Sequence, residues 1–284
     1  MSSAELTSIR SPRVAAARRL GKRAFRAADR RFLAEGPQAV REALRLPPGR
    51  PGAPVELFAT AEVVTRHADL LELAHDAGVP VSRVSGAVMT AVAQTVSPQG
   101  VVAVCAFLDR PLNQVLAERP RLVAVLENVR DPGNAGTVIR AADAAGAEAV
   151  VLTDASVDVY NGKCVRATAG SIFHLSVVVG QPVGRLLPAL RAAGLLVVAA
   201  DGTASLDLDA AMDAGRLAGR TAWVFGNEAW GLSERARSSA DAVVRVPIHG
   251  RAESLNLATA ATVCLYASAR AHRVADGRGE GHAR

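Results

Sequence analysis

The sequence has few of the residues that mark common metal and nucleotide sites. Its three cysteines, Cys105, Cys164 and Cys264, are far apart and lie beside apolar residues, and no CxxC or HExxH pattern occurs. A disulfide framework or a zinc site is therefore disfavoured, and buried reduced thiols are expected. Neither GxGxxG nor GxxxxGK[ST] is present, which argues against dinucleotide and P-loop nucleotide binding.

Aromatic residues are also scarce. They make up 4% of the 284 residues, whereas 50% of the chain is hydrophobic, so the core must be mostly aliphatic. No apolar run reaches the roughly 18 residues that a membrane helix needs, and no apolar segment follows the basic N-terminus. We therefore expect a cytoplasmic protein with no membrane segment, of one large or two ordinary domains.

Acidic residues are rare at the start of the chain. Residues 1–50 hold 12 Lys and Arg but only 4 Asp and Glu, a net charge of +8, so the remainder carries −2 of the overall +6. A solvated basic helix would explain such a run, but the density of arginine favours contact with nucleic acid, because guanidinium groups bind phosphate and stack on bases. The candidate nucleic-acid-binding residues are Arg10, Arg13, Arg18, Arg19, Lys22, Arg23 and Arg26.

The pattern along the chain predicts two α/β domains. Residues 1–33 are expected to be helical, residues 1–110 to form a small α/β domain, and 111–121 to be a linker. From Leu122 to residue 272, apolar strands alternate with helices, which predicts a mostly parallel sheet covered on both faces. The strand candidates are 122–126, 148–152, 173–179, 195–200, 221–225 and 242–246, and residues 273–284 are expected to be a flexible tail.

Three stretches follow predicted strands, where ligands bind in open α/β sheets. The first, "LENVRDPGNAGTVIRAADAAG", presents Asn134 and, six residues later, Arg140. Taken alone, Asn134 could be a helix cap and Arg140 a solvated helix residue.

The second and third stretches are "WVFGNEAWGLS" (223–233) and "VRVPIHGRAESLNLATAATVCLYASAR" (244–270). In the second, Gly226 permits close backbone approach to a ligand, and Asn227 and Glu228 offer side-chain acceptors. In the third, Ser254 and Asn256 are plausible caps of an Ala-rich helix. Any one stretch would be a weak signal.

Together, and in this order, the three stretches resemble the motifs of the SpoU/TrmH family of RNA ribose 2′-O-methyltransferases, within the SPOUT superfamily. The similarity covers roughly residues 122–272, and "FLAEGPQAVREAL" after the basic segment resembles the family's substrate-binding domain. The resemblance implies an α/β fold with a trefoil knot, an exception to the rule that chains avoid threading, preceded by a small L30e-like α/β domain.

The resemblance also implies the site. Backbone at Gly226, Val246, Ile248 and Leu255 would surround S-adenosylmethionine, while Asn134, Arg140, Glu228, Ser254 and Asn256 would face the methyl acceptor. No metal is implied. For Arg140 two roles stay open, a general base or a group that positions phosphate; a guanidinium gives up its proton so reluctantly that the second is less demanding.

The expected function is methyl transfer from S-adenosylmethionine to a ribose 2′-hydroxyl of structured RNA, with 23S ribosomal RNA as first choice, by a homodimer. Alternatives within the class are a transfer-RNA modifier and a methylase that confers antibiotic resistance. A non-catalytic RNA-binding protein is disfavoured because Asn134, Arg140 and Asn256 all stand at their motif positions. An oxidoreductase is disfavoured by the missing glycine fingerprint.

Overall fold

Helices and strands are interspersed along the described chain, in a computed structural model that describes residues 5–227 and 229–280. The helices are α1 (Pro12–Arg19), α2 (Arg23–Asp29), α3 (Pro37–Leu44), α4 (Ala61–Arg66), α5 (Ala68–Asp76), α6 (Gly86–Val92), α7 (Leu112–Ala117), α8 (Pro132–Ala144), α9 (Gly162–Thr168), α10 (Val183–Ala192), α11 (Leu208–Asp213), α12 (Glu234–Ser238) and α13 (Leu257–Glu280). The strands are β1 (Arg31–Glu35), β2 (Pro54–Ala59), β3 (Val81–Arg83), β4 (Val101–Ala106), β5 (Leu122–Leu126), β6 (Ala149–Thr153), β7 (Ser176–Gln181), β8 (Leu196–Ala200), β9 (Leu206–Asp207), β10 (Thr221–Phe225) and β11 (Ala242–Arg245).

The first of two compact units contains the residues up to Leu108 together with Asp158–His174. Its sheet has the order β1-β4-β2-β3, in which β4 runs antiparallel to both neighbours and β2 runs parallel to β3. One face packs on an apolar cluster that includes Val14, Leu20, Leu33 and Phe58. The unit is a small mixed α/β domain.

The segment Asp158–His174 packs within this first unit, although the sequence places it in the C-terminal domain. The Tyr160 ring stacks on Phe107 with centroids 3.7 Å apart, and its hydroxyl accepts a hydrogen bond from the backbone N–H of Leu108. Phe173 stacks on Phe32. These aromatic contacts tie the segment to β1 and to the residues after β4, so the domain boundary is discontinuous along the chain.

The second unit holds Asp109–Val157 and the chain from Leu175 onward. Its sheet has the order β7-β6-β5-β10-β8-β11-β9, and every strand pair is parallel. All residues of β5, β6 and β10 are buried, as expected for a parallel sheet covered on both faces. The predicted α/β architecture is therefore confirmed, with a core dominated by Val, Leu and Ala.

Several local predictions differ from the structure. Strands β1 and β9 were not predicted, and residues 171–173 form a 3-10 helix, so β7 begins only at Ser176. The predicted linker contains α7, and α13 continues through most of the predicted tail to Glu280. The cysteines are buried and free, as predicted, and burial raises the pKa of the Cys105 and Cys264 thiols.

Within residues 5–227 and 229–280, no helix combines the length and apolar character needed to cross a membrane. Over the same residues, no cluster of three or more His, Cys, Asp and Glu side chains could hold a metal ion.

Candidate active site

A cavity of about 790 Å³ lies at the carboxyl ends of strands β8, β10 and β11. This is where an open parallel sheet places its ligands, because the loops there diverge from the strand ends. Eight of the residues predicted from the sequence line it: Asn134, Gly226, Asn227, Val246, Ile248, Ser254, Leu255 and Asn256. Residues from all three motifs therefore meet around one space.

Gly226 directly follows β10 and lies against the backbone of Gly231 and Leu232. A Cβ at this position would overlap backbone atoms of Gly231 and Leu232. Asn227 and Gly231 exchange two backbone hydrogen bonds of 2.9 Å, and Gly231 has a φ of +70°, which favours glycine. The turn at this edge of the cavity is thus fixed by its two glycines.

The side chain of Asn227 maintains the same turn. Its Nδ2 donates to the Asn128 carbonyl at 2.7 Å, and its Oδ1 accepts from the Ala229 N–H at 2.8 Å. The amide predicted to offer an acceptor to a ligand is therefore engaged within the protein. Glu228, the other acceptor predicted in this motif, lies outside the described residues.

A buried carboxylate fixes the far end of this turn. Glu127, which follows β5, accepts hydrogen bonds from both the N–H and the hydroxyl of Ser233. Ser233 in turn caps α12 through the Ala236 N–H. Sequence reasoning did not single out Glu127, although it lies in the first motif.

Asn134 and Asn256 connect the first motif to the third. Asn256 Nδ2 donates to Asn134 Oδ1 at 3.1 Å, while Asn256 Oδ1 accepts from the Ala258 N–H and so caps α13. Asn134 is not the cap of α8, contrary to one reading of the sequence: that cap is Asp131, whose carboxylate accepts from the Asn134 N–H at 2.8 Å. The two amides thus hold each other in orientation at the cavity wall.

Arg140 lies on α8, six residues beyond Asn134, with an exposed side chain. It is not among the residues that line the cavity, and it makes no hydrogen bond or ion pair with any described residue. Its guanidinium is therefore accessible to a ligand that extends out of the cavity.

A polar wall of the cavity was missed by sequence reasoning. Asp201, after β8, accepts hydrogen bonds from the Thr203 N–H at 2.8 Å, the Thr203 hydroxyl at 2.7 Å and Arg237 Nη1 at 2.6 Å, and all three residues line the cavity. Burial disfavours the charged carboxylate, but these hydrogen bonds and the charge of Arg237 outweigh it, so the pKa of Asp201 lies below its usual value. The "DGT" after an apolar strand was the available signal.

The basic N-terminal residues lie in the first unit. Arg10, Arg13, Arg18, Arg19, Lys22 and Arg23 are exposed, although Arg13 pairs with Glu56 and Arg19 with Asp29. Arg26 is the exception, because it is only 3% exposed and its guanidinium binds Asp158 and the carbonyls of Leu20 and Gly21. We therefore remove Arg26 from the predicted RNA surface and regard it as a structural residue.

Comparison with known proteins identifies two family regions. Residues 121–266 match the SpoU rRNA Methylase family, and residues 33–111 match the RNA 2′-O ribose methyltransferase substrate-binding family. The 23S rRNA (guanosine(2553)-2′-O)-methyltransferase RlmP of Bacillus subtilis is 37% identical over 83% of this chain and 87% of its own length.

A further relative and two solved structures agree. The 23S rRNA (uridine(2479)-2′-O)-methyltransferase of Streptomyces viridochromogenes is 35% identical over 61% of each chain. The AdoMet-bound rRNA methyltransferase of Sinorhizobium meliloti superposes with a TM-score of 0.80 at 31% identity, over 94% of this chain and 97% of that one. The methyltransferase AviRb of S. viridochromogenes with AdoMet gives 0.74 at 27% identity, over 93% and 99%.

Proposed function

Because the chain belongs to the SpoU family of RNA ribose 2′-O-methyltransferases, we propose that it methylates a ribose 2′-hydroxyl of 23S ribosomal RNA. The enzyme class and the methyl donor, S-adenosylmethionine, come with the family and with its donor-bound structures. The relatives named for 23S rRNA support that substrate for this chain. Such a substrate would place the activity in the cytoplasm.

The observation that carries the proposal is the meeting of three distant motifs at one cavity, joined by the Asn134–Asn256 hydrogen bond. The cavity fits S-adenosylmethionine. Its volume of about 790 Å³ is ample for a nucleoside bearing an amino acid, and Val246, Ile248 and Leu255 offer apolar surface to an adenine. At Gly226 the missing side chain leaves room for the backbone of Gly231 and Leu232, which keeps the turn at the cavity edge close to β10.

When bound, S-adenosylmethionine supplies an electrophilic methyl group on its sulfonium. The protein's own task is to orient the acceptor hydroxyl and to favour loss of its proton. Asn134 and Asn256, with their amides held in place, would orient the ribose. Arg140, exposed beyond the cavity, would contact the adjacent phosphate and stabilise charge on the 2′-oxygen.

The trefoil knot and the role of Glu228 stay predictions from the resemblance.

The direct test uses purified protein, S-adenosylmethionine with a labelled methyl group, and ribosomal and transfer RNA from cells that lack the gene. We expect label in 23S rRNA at a single ribose, located by mapping 2′-O-methyl sites in cells with and without the gene. Label in transfer RNA would favour the tRNA alternative. A methylated site whose loss changes only antibiotic sensitivity would favour the resistance alternative, and no label in any RNA would refute the proposed activity.

RNA affinity should depend on the exposed basic residues of the first unit. Changing Arg10, Arg18, Lys22 and Arg23 to Gln should weaken RNA binding and reduce the slope of log affinity against log salt by about 3, because each lost phosphate contact removes roughly one released counterion. A control variant with four other exposed arginines changed to Gln (Arg119, Arg185, Arg216 and Arg273) should keep most of the slope. Equal slopes for both variants would contradict the assignment.

We also propose that the protein is a homodimer. One stripe of α13 leaves the apolar side chains of Val263, Tyr266 and Val274 partly exposed. Sedimentation should therefore give a mass near twice the 29.4 kDa of one chain. Tyr266→Glu should produce monomers, whereas Val55→Glu, at an exposed apolar residue of the first unit, should not. A wild-type mass of one chain would contradict pairing.

A further inference from the structure

The two tryptophans of the chain have opposite environments. Trp223, in β10, is fully buried, and its indole N–H donates to the Ser268 hydroxyl at 2.9 Å. Trp230 is 65% exposed, the most exposed aromatic side chain among the described residues, and it lines the cavity. An exposed indole leaves a large apolar area in water, and at a ligand cavity that area is available to a ligand.

Trp230 is presented by a well-anchored turn. The turn is closed by the paired backbone hydrogen bonds of Asn227 and Gly231 and fastened by the Asn227 side chain. Beyond it, Leu232 is buried and Ser233 is bound by the buried Glu127. Because residues on both sides of Trp230 are hydrogen-bonded, the ring is held at the cavity before a ligand arrives, which lowers the entropic cost of using it for recognition.

The nucleobase of the target nucleotide is a suitable stacking partner for Trp230. A ribose that reaches a cavity carries its nucleobase with it, and that base must leave the stack of neighbouring bases, which costs a few kcal/mol. Stacking on an aromatic side chain offsets part of this cost, and it tolerates any base because every base has a π-face.

We propose that Trp230 stacks on the nucleobase of the target nucleotide and so stabilises the unstacked RNA that the enzyme methylates; the proposal rests on the proposed function. The adenine of S-adenosylmethionine is the competing partner for an indole at this cavity. Under the proposed function, Val246, Ile248 and Leu255 would contact that adenine, whereas the residues that would face the acceptor, Asn134, Ser254 and Asn256, offer no ring.

The kinetic test compares three variants with S-adenosylmethionine saturating and 23S rRNA transcript limiting. Trp230→Ala should lower the single-turnover rate by about 10- to 100-fold, the worth of one base–aromatic stack. Trp230→Phe should restore most of that rate, whereas Trp230→Leu, apolar but without a ring, should not. Affinity for S-adenosylmethionine, measured by calorimetry without RNA, should be unchanged in all three. A variant that loses cofactor affinity instead would overturn the proposal in favour of adenine.

Fluorescence provides a readout that does not depend on activity. Because Trp223 is buried, acrylamide should quench mainly Trp230, and Trp230→Phe removes that signal as a control. The RNA transcript should protect the accessible fluorescence, and S-adenosylmethionine alone should not. Protection by the cofactor alone, or none by RNA, would count against stacking.

An abasic nucleotide at the mapped position completes the test. Removing the base should slow the wild-type enzyme and slow Trp230→Ala no further, since both changes delete the same contact. Fully additive effects would overturn the proposal. If the wild type methylates RNA and Trp230→Ala is equally fast, the stacking proposal is wrong and the proposed function stands. If the wild type methylates no RNA, the proposed function is wrong, and the fluorescence experiment then tests stacking by itself.

Discussion

Arg140→Ala is expected to lower the rate of methyl transfer severely while S-adenosylmethionine binding survives. The loss should be about 100- to 1000-fold in single-turnover rate, the usual effect of removing one group that stabilises developing negative charge. Cofactor binding should survive because Arg140 is exposed, lies outside the cavity lining and bonds to no described residue. Single-turnover kinetics with saturating RNA, together with calorimetry of cofactor binding, measure both quantities.

Two further variants sharpen this result. Arg140→Lys keeps a positive charge without the planar fork, so it should restore little activity if bidentate contact with phosphate matters. Arg185→Ala removes another exposed arginine of the same unit, on α10, and should leave the rate unchanged. Near wild-type rates for Arg140→Ala would remove Arg140 from the mechanism and make Glu228 or Ser254 the next residue to test.

Gly226→Ala is expected to weaken cofactor binding strongly. The added Cβ would overlap backbone atoms of Gly231 and Leu232, so the turn at the cavity edge must move. Overpacking of this kind costs about 1–3 kcal/mol, and if the displacement is reversed on binding the affinity falls by about 10- to 100-fold. Calorimetry measures the affinity, and circular dichroism with thermal unfolding checks that the sheet persists.

Gly202 provides the matched control for Gly226. It lines the same cavity, but a Cβ placed there meets no atom within 4 Å. Gly202→Ala should therefore leave the backbone around the cavity in place and weaken S-adenosylmethionine binding much less than Gly226→Ala does. Equal losses in the two variants would show that steric overlap at the turn is not the cause, and unchanged binding in Gly226→Ala would show that the close approach there is not needed.

The sequence predicted the central strands well because short continuous apolar runs are typical of parallel strands that are buried on both faces. The predicted segments 122–126 and 221–225 coincide with β5 and β10, which are buried throughout. Strand β1 was missed because its first residue, Arg31, extends an arginine-rich run typical of the helices before it, and only pairing with β4 reveals the strand. Tertiary contacts decided the structure where the local pattern was ambiguous.

The candidate site was predictable only where a motif named the residue. Asp201, Thr203 and Arg237 join the cavity because β8 lies beside both β10 and β11, an adjacency that strand spacing along the chain does not give. Arg26 was assigned to RNA for its place in a basic run, yet its partner Asp158 is 132 residues away. Charge composition cannot distinguish an exposed guanidinium from one neutralised by so distant a carboxylate.

The discontinuity of the first unit has a consequence for how the chain acquires its structure during synthesis. Asp158–His174 completes the first unit, supplying Tyr160 to its aromatic contacts and Asp158 to the buried Arg26. A nascent chain grows from its N-terminus, so β5 and β6 have left the ribosome before this unit can close. The first unit therefore cannot be completed until Asp158–His174 has emerged, so the first part of the second unit emerges before the first unit is complete and the rest of it emerges afterwards.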